Sequence, residues 1–305
     1  MNGDNAIDFV IPLHRYHNMV RTMIEAIHLF YNPRNIYIIT PKDSIEKLQH
    51  FSICWTKNKI IAIPEETFFI NNYELSIDNI KSMYNNDFDE RSREFGWWYQ
   101  QIIKLGACKQ IVELSDPFVV WDSDLVPFIK WDIYPTDSEP YYKFALLQEQ
   151  AKSEWNIEQY KESLFSITGM NMIVPREGTF VPHHFIFHKI VINELLSNIE
   201  SYELNRNKNP TWIHTIMRLS HKYFRFSEYI TVATFMSNYF PELLRYHKFN
   251  SFGKYGYRIR DSKYFVKEIE DNCKIEEYGL SYNEFCNFVK KKYTNLPSYL
   301  QIEHI

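Results

Sequence analysis

Short apolar runs alternate with helix-period stretches through the first 125 residues, and this alternation restricts the chain more than any other feature. Ala6 to Leu13 reads as a buried strand, and Tyr16 to Tyr31 follows with an amphipathic period. Asn35 to Thr40 is a second strand, closed by Pro41, with a short helix around Ser44 to His50. Lys59 to Ile63 is a third strand, stopped by Pro64. Helical spacing then runs from Glu94 to about Glu113, before a strand-like run at Phe118 to Trp121. A β-α-β-α order of this kind predicts an α/β fold, with a mixed, mainly parallel sheet flanked by helices on both faces.

The second half changes character. Strand-like runs at Tyr142 to Leu147 and Met170 to Val174 are separated by a helical stretch at Ser153 to Leu164. Phe185 to Tyr202, Trp212 to His221 and Ser227 to Tyr239 read mainly as helix, and Tyr246 to Arg260 is mixed. Helical patterns return at Ser262 to Asp271 and Tyr282 to Tyr293. No repeat or low-complexity linker divides the chain. The expected organisation is one domain over residues 1–260, with halves 1–125 and 126–260, and a helical extension at 261–305 packed on it. A division near residue 140 is the alternative.

Charge and composition exclude several classes. A net charge of -4 does not supply the basic field that nucleic-acid phosphates require. The Lys290-Lys291-Lys292 run is too short to change that, and reads as a solvated helix end. No stretch reaches 18 uninterrupted apolar residues, so no membrane span is expected. The N-terminal residues lack the basic start and long apolar stretch of a secretory signal. The four Cys, at 54, 108, 273 and 286, lack metal-ligand spacing and fit free thiols in a reducing compartment. The expectation is a soluble, cytoplasmic protein. Aromatic residues reach 17%, which suits flat ligands but also follows from a codon bias toward Phe, Tyr, Ile, Asn and Lys.

The chemistry concentrates in Phe118-Val119-Val120-Trp121-Asp122-Ser123-Asp124-Leu125-Val126-Pro127. Four apolar residues lead into two acids two positions apart, so a strand period of two turns both carboxylates to one side. Like charges held that close repel, and a cation is their natural partner. Hard oxygen ligands suit Mn²⁺ or Mg²⁺, which take further ligands from water and substrate phosphates. In open α/β sheets, ligands gather at the carboxyl ends of strands, where this pair falls. A bare D-x-D also marks exposed turns. Metal-dependent phosphotransferases use a first Asp after a strand as nucleophile, but on the first strand and followed by Gly/Thr-type residues. Here Asp122 falls on about the fourth strand, and Leu125-Val126-Pro127 follows.

Three stretches in order give the chain a family likeness: Phe95-Gly96-Trp97-Trp98-Tyr99-Gln100-Gln101-Ile102-Ile103-Lys104-Leu105, Val120-Trp121-Asp122-Ser123-Asp124, and Phe226-Ser227-Glu228-Tyr229. With an opening strand ending in Ile11-Pro12-Leu13, they resemble the GT-A fold glycosyltransferases, and most closely a poorly characterised branch in bacteria and large DNA viruses. The resemblance covers about residues 6–250. It implies a Rossmann-like GT-A fold with a helical C-terminal part, a nucleotide-sugar half at 1–125 and an acceptor half at 126–260. It also implies a nucleotide-sugar donor, most often UDP-linked, a glycan or other hydroxyl acceptor, and Mn²⁺ or Mg²⁺ bridging Asp122, Asp124 and the diphosphate. A non-catalytic nucleotide-sugar-binding protein of the same fold is the further alternative, beside a phosphotransferase using Asp122.

By analogy with that fold, Pro12, Leu13 and His14 after the first strand and Glu65 after the third would cradle base and ribose. Trp97, Gln101 and Lys104 lie at i, i+4 and i+7 on one helix face. With Arg93 just before it, that face can meet donor hydroxyls and phosphates, or else form a solvent-facing stripe. Glu228 can act as general base in an inverting transfer, or simply sit in the first turn of a helix capped by Ser227. His247 is a candidate late metal ligand. His183 and His184 are candidates for the acceptor side. His184 and His188, at i and i+4, could support a zinc ion on a helix, but lack the intervening Glu of the H-E-x-x-H arrangement.

Overall fold

The computed structural model describes residues 7–55, 59–87, 95–131, 133, 142–146, 157–174, 180–203, 211–219, 226–248 and 256–303. In chain order the strands are β1 (Asp8–Pro12), β2 (Asn35–Thr40), β3 (Lys59–Pro64), β4 (Phe118–Trp121), β5 (Leu125–Pro127), β6 (Tyr142–Leu146), β7 (His184–Phe187), β8 (Leu244–Lys248), β9 (Gly256–Ile259) and β10 (Tyr299–Ile302). The helices are α1 (Met19–Tyr31), α2 (Lys42–Phe51), α3 (Ile70–Tyr73), α4 (Ile77–Asp87), α5 (Phe95–Gln110), α6 (Ile157–Thr168), α7 (Lys189–Glu203), α8 (Trp212–Leu219), α9 (Glu228–Tyr239), α10 (Ser262–Asn272) and α11 (Tyr282–Lys292). The fold is mixed α/β with a mainly parallel central sheet flanked by helices, as the alternation predicts. Two compact units divide it: Met1–Pro64 with Val119–Asp132 and Phe249–Ile305, and Glu65–Phe118 with Ile133–Lys248.

In the first unit the strand order is β3-β2-β1-β4, with β1 parallel to β2 and β2 to β3. Phe9, Val10 and Ile11, Ile36, Ile38 and Ile39, and Val119 to Trp121 are all fully buried. Such continuous apolar runs are what a strand covered on both faces requires. Asp8, also fully buried at the foot of β1, is compensated by Arg34, whose Nε and Nη2 donate to its two carboxylate oxygens at 2.9 and 2.5 Å. The Asn35 amide donates to Asp8 Oδ1 at 3.1 Å, so one carboxylate closes the turn into β2. Asn32, left-handed at φ 42°, ends α1, and its amide reaches the His28 carbonyl.

A second sheet in the same unit is built by the end of the chain. β10 lies antiparallel to β5 and parallel to β9. Helix period alone predicts a helical tail, and two helices are present, each entered through a side-chain cap: Asp261 accepts from the Tyr264 amide, and Ser281 from the Glu284 amide. The strand at Tyr299–Ile302 is too short to show a period. The tail is tied to α1 by Arg21, which donates to Glu276 at 2.6 Å and to the Gly279 carbonyl at 3.1 Å.

The second unit is mainly helical, around α5, α7, α8 and α9, with β6 and β8 paired in parallel. Two expectations change here. Met170–Val174 forms no strand: the chain leaves α6 through Gly169 at φ 72°, and the Ile173 amide donates to the Thr234 hydroxyl instead of a neighbouring strand. Phe185 opens no helix; it lies in β7, and α7 begins only at Lys189. A run of β-compatible apolar residues too short to reveal its period accounts for both. Because His184 is in a strand and His188 follows it, the pair has no helical i, i+4 relation, which removes the zinc arrangement.

Candidate functional site

β4 is fully buried and ends at Trp121, so the chain emerges with Asp122 directly at the strand's carboxyl end. A tight turn then holds the motif: the Leu125 amide donates to the Asp122 carbonyl at 3.1 Å, and the Trp121 indole N–H to the Leu125 carbonyl at 3.0 Å. From the paired strand β10, the Ile302 amide donates to the Asp124 carbonyl at 2.9 Å, and Gln301 Nε2 to Asp124 Oδ2 at 3.2 Å. Both carboxylates thus sit on backbone fixed by sheet and turn. A pair of hard oxygen donors, organised before any ligand arrives, fits Mn²⁺ or Mg²⁺. Asp122 and Asp124 each offer a carboxylate oxygen of the kind that can hold a metal ion.

The first unit also carries the loop after β1. Pro12 and Leu13 are buried, and the Leu13 amide donates to the Ile39 carbonyl at 2.8 Å, so of the three residues expected here only His14 presents an exposed side chain. Sequence reasoning missed their neighbours. Tyr16 Oη, His17 Nδ1 and, at the carboxyl end of β2, Thr40 Oγ1 are buried polar atoms without a hydrogen-bond partner among the described residues. Each such atom costs about 1–3 kcal/mol unless a ligand or water satisfies it. Burial, with Arg15 adding to it, lowers the His17 pKa to about 4 and keeps the ring neutral. Tyr16 packs nearly parallel to Trp55, 6.3 Å between centroids. A Tyr-His pair following Leu13-His14 was the available signal.

In the second unit the structure brings Gln101 and Lys104, neighbours on α5, together with Glu228, which lies far from them in sequence. Lys104 on α5 is 1% exposed, and its ammonium donates to Glu228 Oε1 at 2.7 Å and to Tyr229 Oη at 3.2 Å. Gln101 Oε1, one turn earlier, accepts from the Glu228 amide at 3.1 Å. Ser227 caps α9 by accepting from the Ile230 amide at 3.3 Å. The α5 face is therefore no solvent stripe: Gln101 and Lys104 point inward, while Trp97 is 40% exposed.

Glu65, just after β3, is held as an acid of unusual weakness. Burial first and the adjacent Glu66 carboxylate second raise its pKa to about 8. Its carbonyl accepts from the Tyr99 hydroxyl at 2.8 Å. His183 enters β7 at φ 63°, a left-handed conformation that a side chain adopts at a cost and that concentrates at functional positions. The His184 Nδ1–H donates to the Pro182 carbonyl at 3.0 Å, fixing the ring. His247 lies in β8 opposite Ala145, with its side chain outside the described residues. Arg93 lies outside them altogether.

The structure is a mixed α/β fold with an acidic pair at the end of a buried strand. Mouse xyloside xylosyltransferase 1, in its apo form, is similar in structure over 98% of both chains, with a TM-score of 0.50 and 8% identity. Core-mannan synthase A from Aspergillus fumigatus, in a Mn/GDP form, gives 0.46 at 10% identity, over 81% of this chain and 74% of that one. The PaToxG glycosyltransferase gives 0.35 at 11%, over 87% and 75%. Only the first score is high enough to bear on the fold. By sequence, the chain belongs to DUF6492, a family of unknown function, which it matches over residues 4–270. A search of curated proteins finds no relative.

Proposed function

We propose that this chain is a metal-dependent glycosyltransferase, moving a sugar from a nucleotide-sugar, a UDP-sugar in the first instance, to a hydroxyl of a glycan or related acceptor. The observation that carries the reading is the Asp122–Asp124 pair, fixed at the end of a buried strand on a glycosyltransferase-like fold. Bound Mn²⁺ or Mg²⁺ would supply positive charge where the departing diphosphate becomes negative. Asp122 and Asp124 would hold the ion. The buried, unsatisfied atoms of Tyr16, His17 and Thr40 are suited to the polar edge of a nucleotide, a ligand that would repair their missing hydrogen bonds. Glu65, protonated at neutral pH, can donate a hydrogen bond to a ribose or sugar oxygen.

Glu228 enters the reading as the group that takes the acceptor's proton, tied in place by Lys104 and Gln101. Glu228→Gln removes the basicity and also leaves the Lys104 ammonium without its counter-charge, so transfer should fall about 10²- to 10⁴-fold while donor-induced stabilisation, read against the variant's own lower melting midpoint, persists. Unchanged transfer would leave the residue a purely architectural role. His183 and His247 compete for the place of an imidazole ligand. Whichever alanine variant weakens Mn²⁺ binding holds it.

The decisive experiment screens UDP-, GDP- and dTDP-sugars for thermal stabilisation with and without Mn²⁺. A donor at a hundred times its dissociation constant should add about 2.7 kcal/mol. The stabilisation should require Mn²⁺ and vanish in Asp122→Asn and Asp124→Asn. If no nucleotide-sugar stabilises the protein with Mn²⁺ present, the reading fails.

A further inference from the structure

The match to the family ends at residue 270, and β10 lies beyond it. Yet this strand touches the acidic motif in two ways. Its register sets Gln301 opposite Leu125, the residue after Asp124. One bond is backbone to backbone, from the Ile302 amide to the Asp124 carbonyl, and would form with any side chain at 302. The other is chemical. Gln301 is 5% exposed, and its amide donates to one carboxylate oxygen of Asp124 at 3.2 Å.

A buried amide in a four-residue strand needs a reason. β10 is otherwise made of Tyr299, Leu300 and Ile302, all buried, and an apolar residue at 301 would satisfy hydrophobic packing equally well. An amide that donates to Oδ2 does something packing does not: it fixes which oxygen of Asp124 is spent inside the protein. Outer hydrogen bonds of this type orient a ligating carboxylate and set its basicity, and their loss commonly weakens metal binding by 10- to 100-fold.

We infer that Gln301, delivered by the C-terminal strand, is a positioning residue that orients the Asp124 carboxylate toward a divalent cation. This rests on the proposed metal role of Asp122 and Asp124. It also assigns a task to a part of the chain that otherwise reads as a helical appendage.

The test titrates Mn²⁺ calorimetrically into the full chain and records the thermal midpoint of the metal-free protein. Gln301→Leu preserves side-chain volume and removes the donor. Leu300→Ala disturbs the same strand without touching Asp124, and serves as the reference for mere loss of packing. Gln301→Leu should raise the Mn²⁺ dissociation constant by about 10- to 100-fold with little change in midpoint, whereas Leu300→Ala should lower the midpoint with less than about threefold change in affinity. If Gln301→Leu binds Mn²⁺ as tightly as the parent, or loses affinity only in step with Leu300→Ala, Gln301 has no positioning role. If the parent chain itself fails to bind Mn²⁺, the metal reading falls, and this inference with it.

Discussion

Lys104 and Glu228 meet in an almost dry interior, and the physics of such a pair is asymmetric. Two charges taken out of water repay their desolvation only while both are present. Lys104→Met alone should therefore destabilise the protein by about 3–5 kcal/mol in urea unfolding, whereas Lys104→Met with Glu228→Leu should cost far less. A double variant as unstable as the single would place the stabilising contacts elsewhere. Glu65 offers a pH test. Its proton leaves near pH 4.5 in the unfolded chain but only near 8 in the folded one, so its contribution to stability is complete at low pH and fades as the pH climbs between those values. Glu65→Gln should therefore melt higher than the parent at pH 9, with the gap shrinking toward pH 5. His17 acts in the opposite direction: buried and neutral, it weakens the fold as the pH drops from 6.5 toward 4. The acidic pair was legible because strand, acids and proline are contiguous. Lys104 and Glu228 could be named from the sequence, but their union could not, since nothing local signals a contact between residues 124 positions apart.

At the level of elements, α5 shows how packing overrides propensity. Ala is worth about 1 kcal/mol more than Gly inside a helix, so Gly106 invites replacement. A Cβ there would lie 2.4 Å from Phe69 Cε1 and 2.9 Å from Cζ. Phe69 is fully buried, with rings of Tyr73, Tyr99 and Trp212 at 6.1–6.2 Å, so it cannot swing aside. Gly106→Ala should thus cost a net 1–3 kcal/mol in chemical denaturation, against its helix propensity. The long elements with strong period, such as α1, β2 and α11, were readable to within three residues. Among the short ones, β4 was readable as four consecutive apolar residues, but β5, β7 and β10, of four residues or fewer, were not, because too few residues are present for a period to emerge.

At the scale of the molecule, the first unit is assembled from three separate stretches of chain. A fragment of residues 1–132 would contain the acidic motif. It lacks β9, β10, α10 and α11, and with them the partner strand of β5 and the Glu276 and Gly279 contacts of Arg21. Circular dichroism and proteolysis should find that fragment unfolded, and residues 249–305 supplied in trans should restore protection. A stable fragment would show the tail to be dispensable.

The bond between Gln301 and Asp124 spans 177 positions, which orders events on the ribosome. At roughly 5–20 residues per second, the acidic turn waits about 9–35 s after synthesis before its partner strand exists. Throughout that interval a nascent chain carries both aspartates but not the amide that braces one of them. On the proposed metal role, truncated products that stop short of residue 301 should hold the cation about 10- to 100-fold more weakly than chains that include it.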